Sequence, residues 1–167
     1  MAVFVLACLA LACAAPEGRD KRERASRLSR LRGILTAMSE NLDLVRSIYA
    51  AIGRGDYSSA EWADPEIEYV RADGPEPGSV RGLDGLVQAM RSDFGALADV
   101  RAEAEGYREL DAERVLVLTR ASGRGKTSGL PVVQKGAELF EIQDGNVTRV
   151  VVYFDRERAL TGLGLEE

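Results

Sequence analysis

The chain has 167 residues and a net charge of −5, with 22 Lys or Arg, 27 Asp or Glu, and no histidine. A chain of this length can form one domain with a single sizeable core, and the absence of histidine excludes Ser-His-Asp catalysis, Cys-His catalysis and a histidine zinc site. Both cysteines, Cys8 and Cys13, fall near the N-terminus, and the acidic residues show no spacing typical of a calcium or magnesium site. We therefore predict neither a bound metal nor a cofactor.

Charge is divided unevenly along the chain. Residues 1–37 carry seven basic and three acidic side chains, which leaves a net charge of −9 on the remainder. Binding to nucleic-acid phosphates needs a basic surface. We therefore predict no nucleic-acid partner for residues 38–167.

The first 37 residues differ from the rest of the chain. Ala2–Ala15 is an apolar run that ends in Ala-Cys-Ala-Ala-Pro, a pattern typical of a signal peptide and its cleavage site. However, no Lys or Arg precedes this run, and seven follow it from Arg19 to Arg32. That is the reverse of the usual order in an export signal.

Three interpretations of this segment stay open. Translation starts at Met38 rather than Met1, or the protein is exported or lipidated at Cys13, or residues 1–37 form a short anchor or arm. The first predicts a cytoplasmic protein. The others allow an exported or lipid-anchored protein, with a membrane contact only if residues 1–37 are genuine. In each case we predict that residues 1–37 lie outside the fold and that residues 38–167 form one domain.

The first half of that domain alternates helices with a strand. Asn41–Ile52 has apolar residues at helical spacing and ends before a glycine, so it predicts an amphipathic helix. Gly55–Trp62 predicts a short second helix, and Glu66–Arg71 a strand. The Gly- and Pro-rich stretch Ala72–Arg81 predicts a loop, and Leu83–Leu97 a third helix.

The second half is rich in strands. Asp144-Gly145 between two β-rich runs is a strong hairpin signal, and Asp155 is placed to cap a terminal helix. The predicted strands are Val100–Leu110, Arg114–Ser122, Val132–Gln143 and Val147–Phe154. This order predicts an α+β fold in which helices cover one face of a curved, mostly antiparallel sheet.

Several local strings resemble one known superfamily. They are Gly55-Asp56, Asp64-Pro65-Glu66-Ile67-Glu68-Tyr69, Val80-Arg81-Gly82-Leu83-Asp84-Gly85-Leu86, Asp144-Gly145-Asn146-Val147 and Tyr153-Phe154-Asp155-Arg156. Their order resembles the nuclear-transport-factor-2-like superfamily, in particular its SnoaL-like branch with polyketide cyclases and ketosteroid isomerases. The resemblance covers residues 40–165. It implies a cone-shaped α+β barrel, a pocket between the sheet and the helices, and a homodimer formed through the sheet.

The resemblance also allows a comparison with ketosteroid isomerases, residue by residue. Their helix tyrosine corresponds to Ile48, with Tyr49 beside it on a different face, and their catalytic base corresponds to Val70. Their acid corresponds to Glu138. Two of the three roles are missing, so this isomerisation is not expected here.

The epoxide-hydrolase branch of the superfamily fits no better. Its arginine and its two aspartates correspond approximately to Arg120, Ser122 and Val152, so only the arginine is kept. Activation of water by a carboxylate needs the carboxylate within hydrogen-bond reach. This chemistry is therefore not expected either.

Glu138 is the candidate catalytic residue. It shares a strand face with Phe140 and Ile142, and if that face is the pocket wall, burial raises the pKa of its carboxyl and makes it an acid, a base or a hydrogen-bond partner. In the opposite register it is an ordinary solvated glutamate. Arg120 either pairs with Glu138 across the neighbouring strands or binds an anionic group of the ligand.

The sequence thus predicts a small-molecule-binding domain with an apolar pocket and a small apolar ligand. The alternative is a cofactor-independent isomerase, cyclase or hydratase that acts on a polyketide- or steroid-like substrate through Glu138. The predicted ligand-binding residues are Trp62, Val70, Arg120, Phe140, Val152 and Phe154.

Overall fold

A computed structural model describes residues 17–54 and 60–166 of the chain. The chain divides into two compact units, Met1–Ile34 and Leu35–Glu167. The apolar run Ala2–Ala15 and most of the helix predicted over Gly55–Trp62 lie outside the described residues. Glu61 and Trp62 themselves form a turn.

The first helix, α1 (Glu17–Gly53), is much longer than the predicted Asn41–Ile52. The added stretch contains no proline and is rich in Arg, Leu, Ala and Glu, which all favour helix. Within the unit Leu35–Glu167, α1 buries Val45, Ile48 and Tyr49. None of the described helices is both long enough and apolar enough to cross a membrane.

The described residues form one curved, open sheet of six strands: β1 (Ala63–Arg71), β2 (Gly78–Arg81), β3 (Leu97–Glu109), β4 (Arg114–Gly125), β5 (Pro131–Gln143) and β6 (Asn146–Tyr153). The remaining helices are α2 (Gly82–Asp93) and α3 (Arg156–Leu163). The order of the strands across the sheet is β2-β1-β6-β5-β4-β3, and all neighbouring strands are antiparallel except β1 and β6, which are parallel. The predicted α+β architecture with a mostly antiparallel sheet is confirmed.

Two predicted boundaries are wrong. The stretch Ala72–Arg81 is not all loop, because Gly78–Arg81 pairs with β1 as a short edge strand. The third helix ends at Asp93 rather than Leu97, and Leu97 already belongs to β3. Residue type alone did not reveal the edge strand, since its hydrogen bonds come from a partner strand.

The sheet has two differently covered faces. The inner face packs on α1 and α2 through a core that includes Ile67, Val117 and Phe140. The outer face packs on α3 through a smaller core that includes Leu116 and Leu139. Alternate residues of each strand therefore belong to different cores, and this alternation decides which side chains can reach a site under the helices.

The hairpin between β5 and β6 fixes the register of the inner face. Asp144 and Gly145 have φ angles of 50° and 81°, as a tight hairpin turn requires. The resulting ladder places Glu138 opposite Val152, and opposite Val117 on its other side. All three side chains therefore lie on the inner face.

A buried carboxylate secures the end of β6. Asp73 is 5% exposed and accepts hydrogen bonds from the backbone N–H groups of Phe154, at 2.6 Å, and Asp155, at 3.2 Å. The side chain of Asp155 caps α3 by accepting from two backbone N–H groups, as predicted. Gly74 has a φ of +93°, and a Cβ there would come within 2.7 Å of the Phe154 ring. Because Gly74 has no side chain, the loop after β1 can pack directly against the ring of Phe154.

Candidate functional site

A cavity lies between the inner face of the sheet and the helices α1 and α2, within the unit Leu35–Glu167. Its walls are mostly apolar and include six aromatic side chains: Tyr49, Trp62, Tyr69, Phe94, Phe140 and Phe154. Glu138 and Asp93 add two carboxyl groups. The volume of the cavity is about 70 Å³, enough for a few water molecules.

Glu138 is held in the cavity by a tyrosine of α1. The hydroxyl of Tyr49 donates a hydrogen bond of 2.6 Å to Glu138 Oε2. The Tyr49 ring is itself fixed by edge contacts with Tyr107 and Phe140, at centroid distances of 6.1 and 6.2 Å. None of the described residues bonds Oε1, so this oxygen is available to a molecule in the cavity.

The surroundings favour the neutral form of Glu138. Burial raises the pKa of its carboxyl, and the nearby Asp93 carboxylate raises it further, whereas the Tyr49 hydrogen bond lowers it. Burial and the Glu138 charge raise the pKa of Tyr49 well above the usual range. Tyr49 therefore stays a hydrogen-bond donor, and Glu138 can hold a proton at a higher pH than a solvated glutamate.

The second carboxyl belongs to a buried ion pair. Arg71 Nε lies 2.5 Å from Asp93 Oδ1, and the Tyr69 hydroxyl donates to Asp93 Oδ2 at 2.7 Å. Arg71 also donates to the backbone oxygen of Ala89 at 3.2 Å. Burial, followed by the hydrogen bond to Asp93, raises the pKa of Tyr69. Both oxygens of Asp93 thus have partners.

Five of the sequence-predicted site residues line the cavity: Glu138, Trp62, Phe140, Val152 and Phe154. They come from β5, β6 and the segments next to β1 and β6, and the inner face of the sheet brings them together. Their roles in binding or catalysis stay predictions.

Two predicted site residues lie elsewhere. Val70 packs in the outer-face core, because its neighbours Tyr69 and Arg71 point to the inner face. Arg120 lies opposite Lys135, and its Nε is 4.0 Å from Glu105 Oε1. The predicted pairing of Arg120 with Glu138 does not form, since Glu138 lies opposite Val117 instead.

The sequence analysis also misplaced Tyr49 and missed Asp93. Ile48 and Tyr49 were expected on different faces of the helix, yet both are buried and both line the cavity. Successive helix residues are about 100° apart, and the buried side of α1 is wide enough to include both. For Asp93 there was a usable signal. Tyr69 and Arg71 share one face of an apolar strand, and a buried arginine needs a carboxylate partner.

No group of three or more His, Cys, Asp or Glu residues in the described parts of the chain is arranged to hold a metal ion. The polar groups that line the cavity include carboxyl groups, phenolic hydroxyls and the indole N–H of Trp62. These groups can donate, accept or transfer protons.

A family model described as the SnoaL-like domain matches residues 45–150, which run from the C-terminal part of α1 into β6 and include Tyr49, Asp93 and Glu138 of the cavity. The chain belongs to the SnoaL-like domain family. Its fold is that of the nuclear-transport-factor-2-like superfamily, as the sequence resemblance predicted. Curated proteins provide no significant match.

Solved structures share this SnoaL-like fold at low sequence identity. A protein described as a SnoaL-like polyketide cyclase, from Jannaschia sp. CCS1, is 16% identical, with a TM-score of 0.59 over 69% of this chain and 85% of that chain. An NTF2-like protein of unknown function from Burkholderia pseudomallei K96243 is 20% identical, with a TM-score of 0.61 over 73% and 95%. TerC, co-crystallized with polyporic acid, is 20% identical, with a TM-score of 0.60 over 74% and 97%.

Proposed function

We propose that this SnoaL-like domain binds a small, mostly apolar molecule in the cavity and that Glu138 forms its main hydrogen bond. The observation that carries the proposal is a carboxyl oxygen, Glu138 Oε1, to which none of the described residues is bonded, among the aromatic and aliphatic side chains that line the cavity. Ligand sites commonly combine apolar walls with a few well-placed polar groups. TerC, which shares this fold, has been co-crystallized with polyporic acid, which supports the proposal that a domain of this fold binds a small organic molecule.

A thermal-shift screen of small cyclic alcohols and ketones tests this function. We expect one or more of them to raise the unfolding temperature of the protein, because a ligand that binds only the folded state stabilises it. Phe140→Ala and Glu138→Leu should each reduce the shift. The matched control is Glu103→Gln, since Glu103 is exposed on β3. A screen in which the shifts of all variants equal that of the wild type would argue against this cavity as the binding site.

A second candidate is a cofactor-independent isomerase, cyclase or hydratase. What favours it is the raised pKa of Glu138 beside the Tyr49 hydroxyl, because a general acid or base works best when its pKa lies near the operating pH. In this candidate Glu138 moves a proton to or from the substrate. Tyr49 orients the carboxyl and stabilises its ionised form.

We also propose a homodimer formed through the sheet. Leu130, Val132 and Val133 are exposed next to one another where β4 leads into β5, and Leu130 is 65% exposed. We expect native mass spectrometry at micromolar concentration to show a dimer that Val133→Glu weakens, since a charge placed in an apolar contact must be desolvated. An equivalent Glu substitution at Thr161, exposed on α3, is the control. Monomer alone in the wild type would contradict this proposal.

A further inference from the structure

We propose that Asp93 determines the charge class of the ligand: by neutralising Arg71, it makes the cavity select uncharged molecules with a hydroxyl or carbonyl oxygen and exclude carboxylates. This inference rests on the binding function proposed for the cavity. It assigns to Asp93 and Arg71 a role in specificity rather than in catalysis.

The first support is the isolation of the ion pair from solvent. The side chains of Arg71 and Asp93 are 15% and 8% exposed, so water screens their charges poorly and each depends on the other. Arg71 lies on the inner face of β1, behind Asp93. The Arg71 guanidinium is thus a positive charge in direct contact with a lining residue, and Asp93 cancels it.

The second support is the position of Asp93 in α2. It is the last residue of that helix, where the helix dipole disfavours a negative charge. Arg71 and the hydroxyl of Tyr69 compensate by holding both of its oxygens. Helix preference alone therefore does not explain a carboxylate at this position. Its bonds with Arg71 and Tyr69 on β1 do explain it.

The third support is the set of polar atoms that a ligand meets. Among the described lining residues, Tyr49, Tyr69, Asp93 and Glu138 contribute hydroxyl and carboxyl oxygens, and Trp62 contributes an indole N–H. Both hydroxyls donate to carboxyl groups, which leaves oxygen lone pairs and Glu138 Oε1 for the ligand. A carboxylate ligand would give up its hydration without meeting an uncompensated cation among these groups, and burial of an unpaired charge is unfavourable. A neutral hydroxyl or carbonyl group would bring no charge to bury.

Three probes of similar shape and different charge test the inference: benzyl alcohol, benzoate and benzylamine. Each contains a single six-membered ring and differs from the others mainly in its polar group. Dissociation constants would be measured near pH 7 by ligand-observed NMR for the wild type, Asp93→Asn and Arg71→Gln. Circular dichroism would establish that each variant is folded. Asp111→Asn, which breaks an exposed ion pair with Arg114, is the matched control.

We expect the wild type to bind benzyl alcohol at least about tenfold more tightly than benzoate or benzylamine. A nearby charge typically changes the equilibrium of a buried charged group by at least this factor. Asp93→Asn should shift the preference toward benzoate by about tenfold or more, because it leaves the Arg71 charge uncompensated. Arg71→Gln should shift the preference toward benzylamine, because it leaves the negative charge of Asp93 uncompensated. Asp111→Asn should leave the three affinities as in the wild type.

Two results would overturn the inference while leaving the binding function intact. One is a wild type that binds benzoate or benzylamine as tightly as benzyl alcohol. The other is a selectivity that stays unchanged in the variants. If either Asp93→Asn or Arg71→Gln does not fold, the other variant alone tests the inference, because each is expected to shift the selectivity toward a different charged probe. If none of the proteins binds any probe, the proposed binding function itself fails, together with the inference.

Discussion

Glu138→Gln is expected to lower turnover by about 10²- to 10⁴-fold if the cavity is catalytic, the usual contribution of a general acid or base. Glutamine has the shape of glutamic acid, can accept the Tyr49 hydrogen bond, and can donate an N–H to a ligand from the position of Oε1. It cannot transfer a proton. The dissociation constant of the ligand should therefore change by less than about tenfold, the equivalent of one net hydrogen bond.

The measurement is kcat and the ligand dissociation constant of the same variant, with a compound identified by the screen. Tyr49→Phe provides a second readout: loss of the hydroxyl that stabilises ionised Glu138 should move the pH profile of kcat to higher pH. Glu103→Gln should behave as the wild type. Full turnover by Glu138→Gln would remove this residue from the mechanism, whereas a change in affinity without any detectable turnover in the wild type would favour the binding module.

The sequence predicted the part of the site that local rules decide. Asp144-Gly145 requires positive φ angles and a tight turn, so its neighbours pair in one register. That register brings Glu138 beside Val152, and Phe140 follows on the same face by alternation. Residues placed by a turn and by the two-residue period of a strand were therefore predictable.

Val70 and Arg120 show where an approximate correspondence to a family position fails. A shift of one residue moves a strand side chain to the opposite face of the sheet. Val70 stands between Tyr69 and Arg71, and the alternation of β1 sends these neighbours inward and Val70 outward. The alternation of inward and outward side chains along β1 would by itself have excluded Val70 from the predicted site. The same rule applies to Arg120. Its neighbour Thr119 lies opposite Gly136 on the inner face, so Arg120 itself points to the outer face.

The pairing of Tyr49 with Glu138, and the identity of Asp93 as the carboxylate that Arg71 needs, required three-dimensional information. The hydrogen bond between Tyr49 and Glu138 joins residues 89 positions apart, and that between Tyr69 and Asp93 spans 24 positions. Neither helix carries a local motif that signals such a partner. The packing of α1 and α2 across the sheet makes these contacts, and a periodic pattern indicates only that the helices have a buried face.

The pH dependence of stability provides a second test of Glu138 that needs no ligand. The pKa of its carboxyl is raised in the folded state, above an unfolded value of about 4.3. Between the two values the folded protein holds a proton that the unfolded chain has lost, so the free energy of unfolding falls as pH rises through this window. Below the unfolded pKa this contribution is fully present, and above the folded pKa it is lost.

We therefore expect Glu138→Gln to become more stable relative to the wild type as pH increases through that window, by about 1.4 kcal/mol for each unit by which folding raises the pKa. Urea unfolding at several pH values from about 4 to 9 measures the difference, a range that ends below the ordinary pKa of tyrosine. Glu103→Gln, which removes one exposed carboxyl, corrects for the change in net charge. A stability difference that is independent of pH, or that favours the wild type at high pH, would contradict a desolvated Glu138. The cavity would then be well enough hydrated to hold an ionised carboxylate, and both the proton-transfer candidate and the exclusion of charged ligands would lose their physical basis.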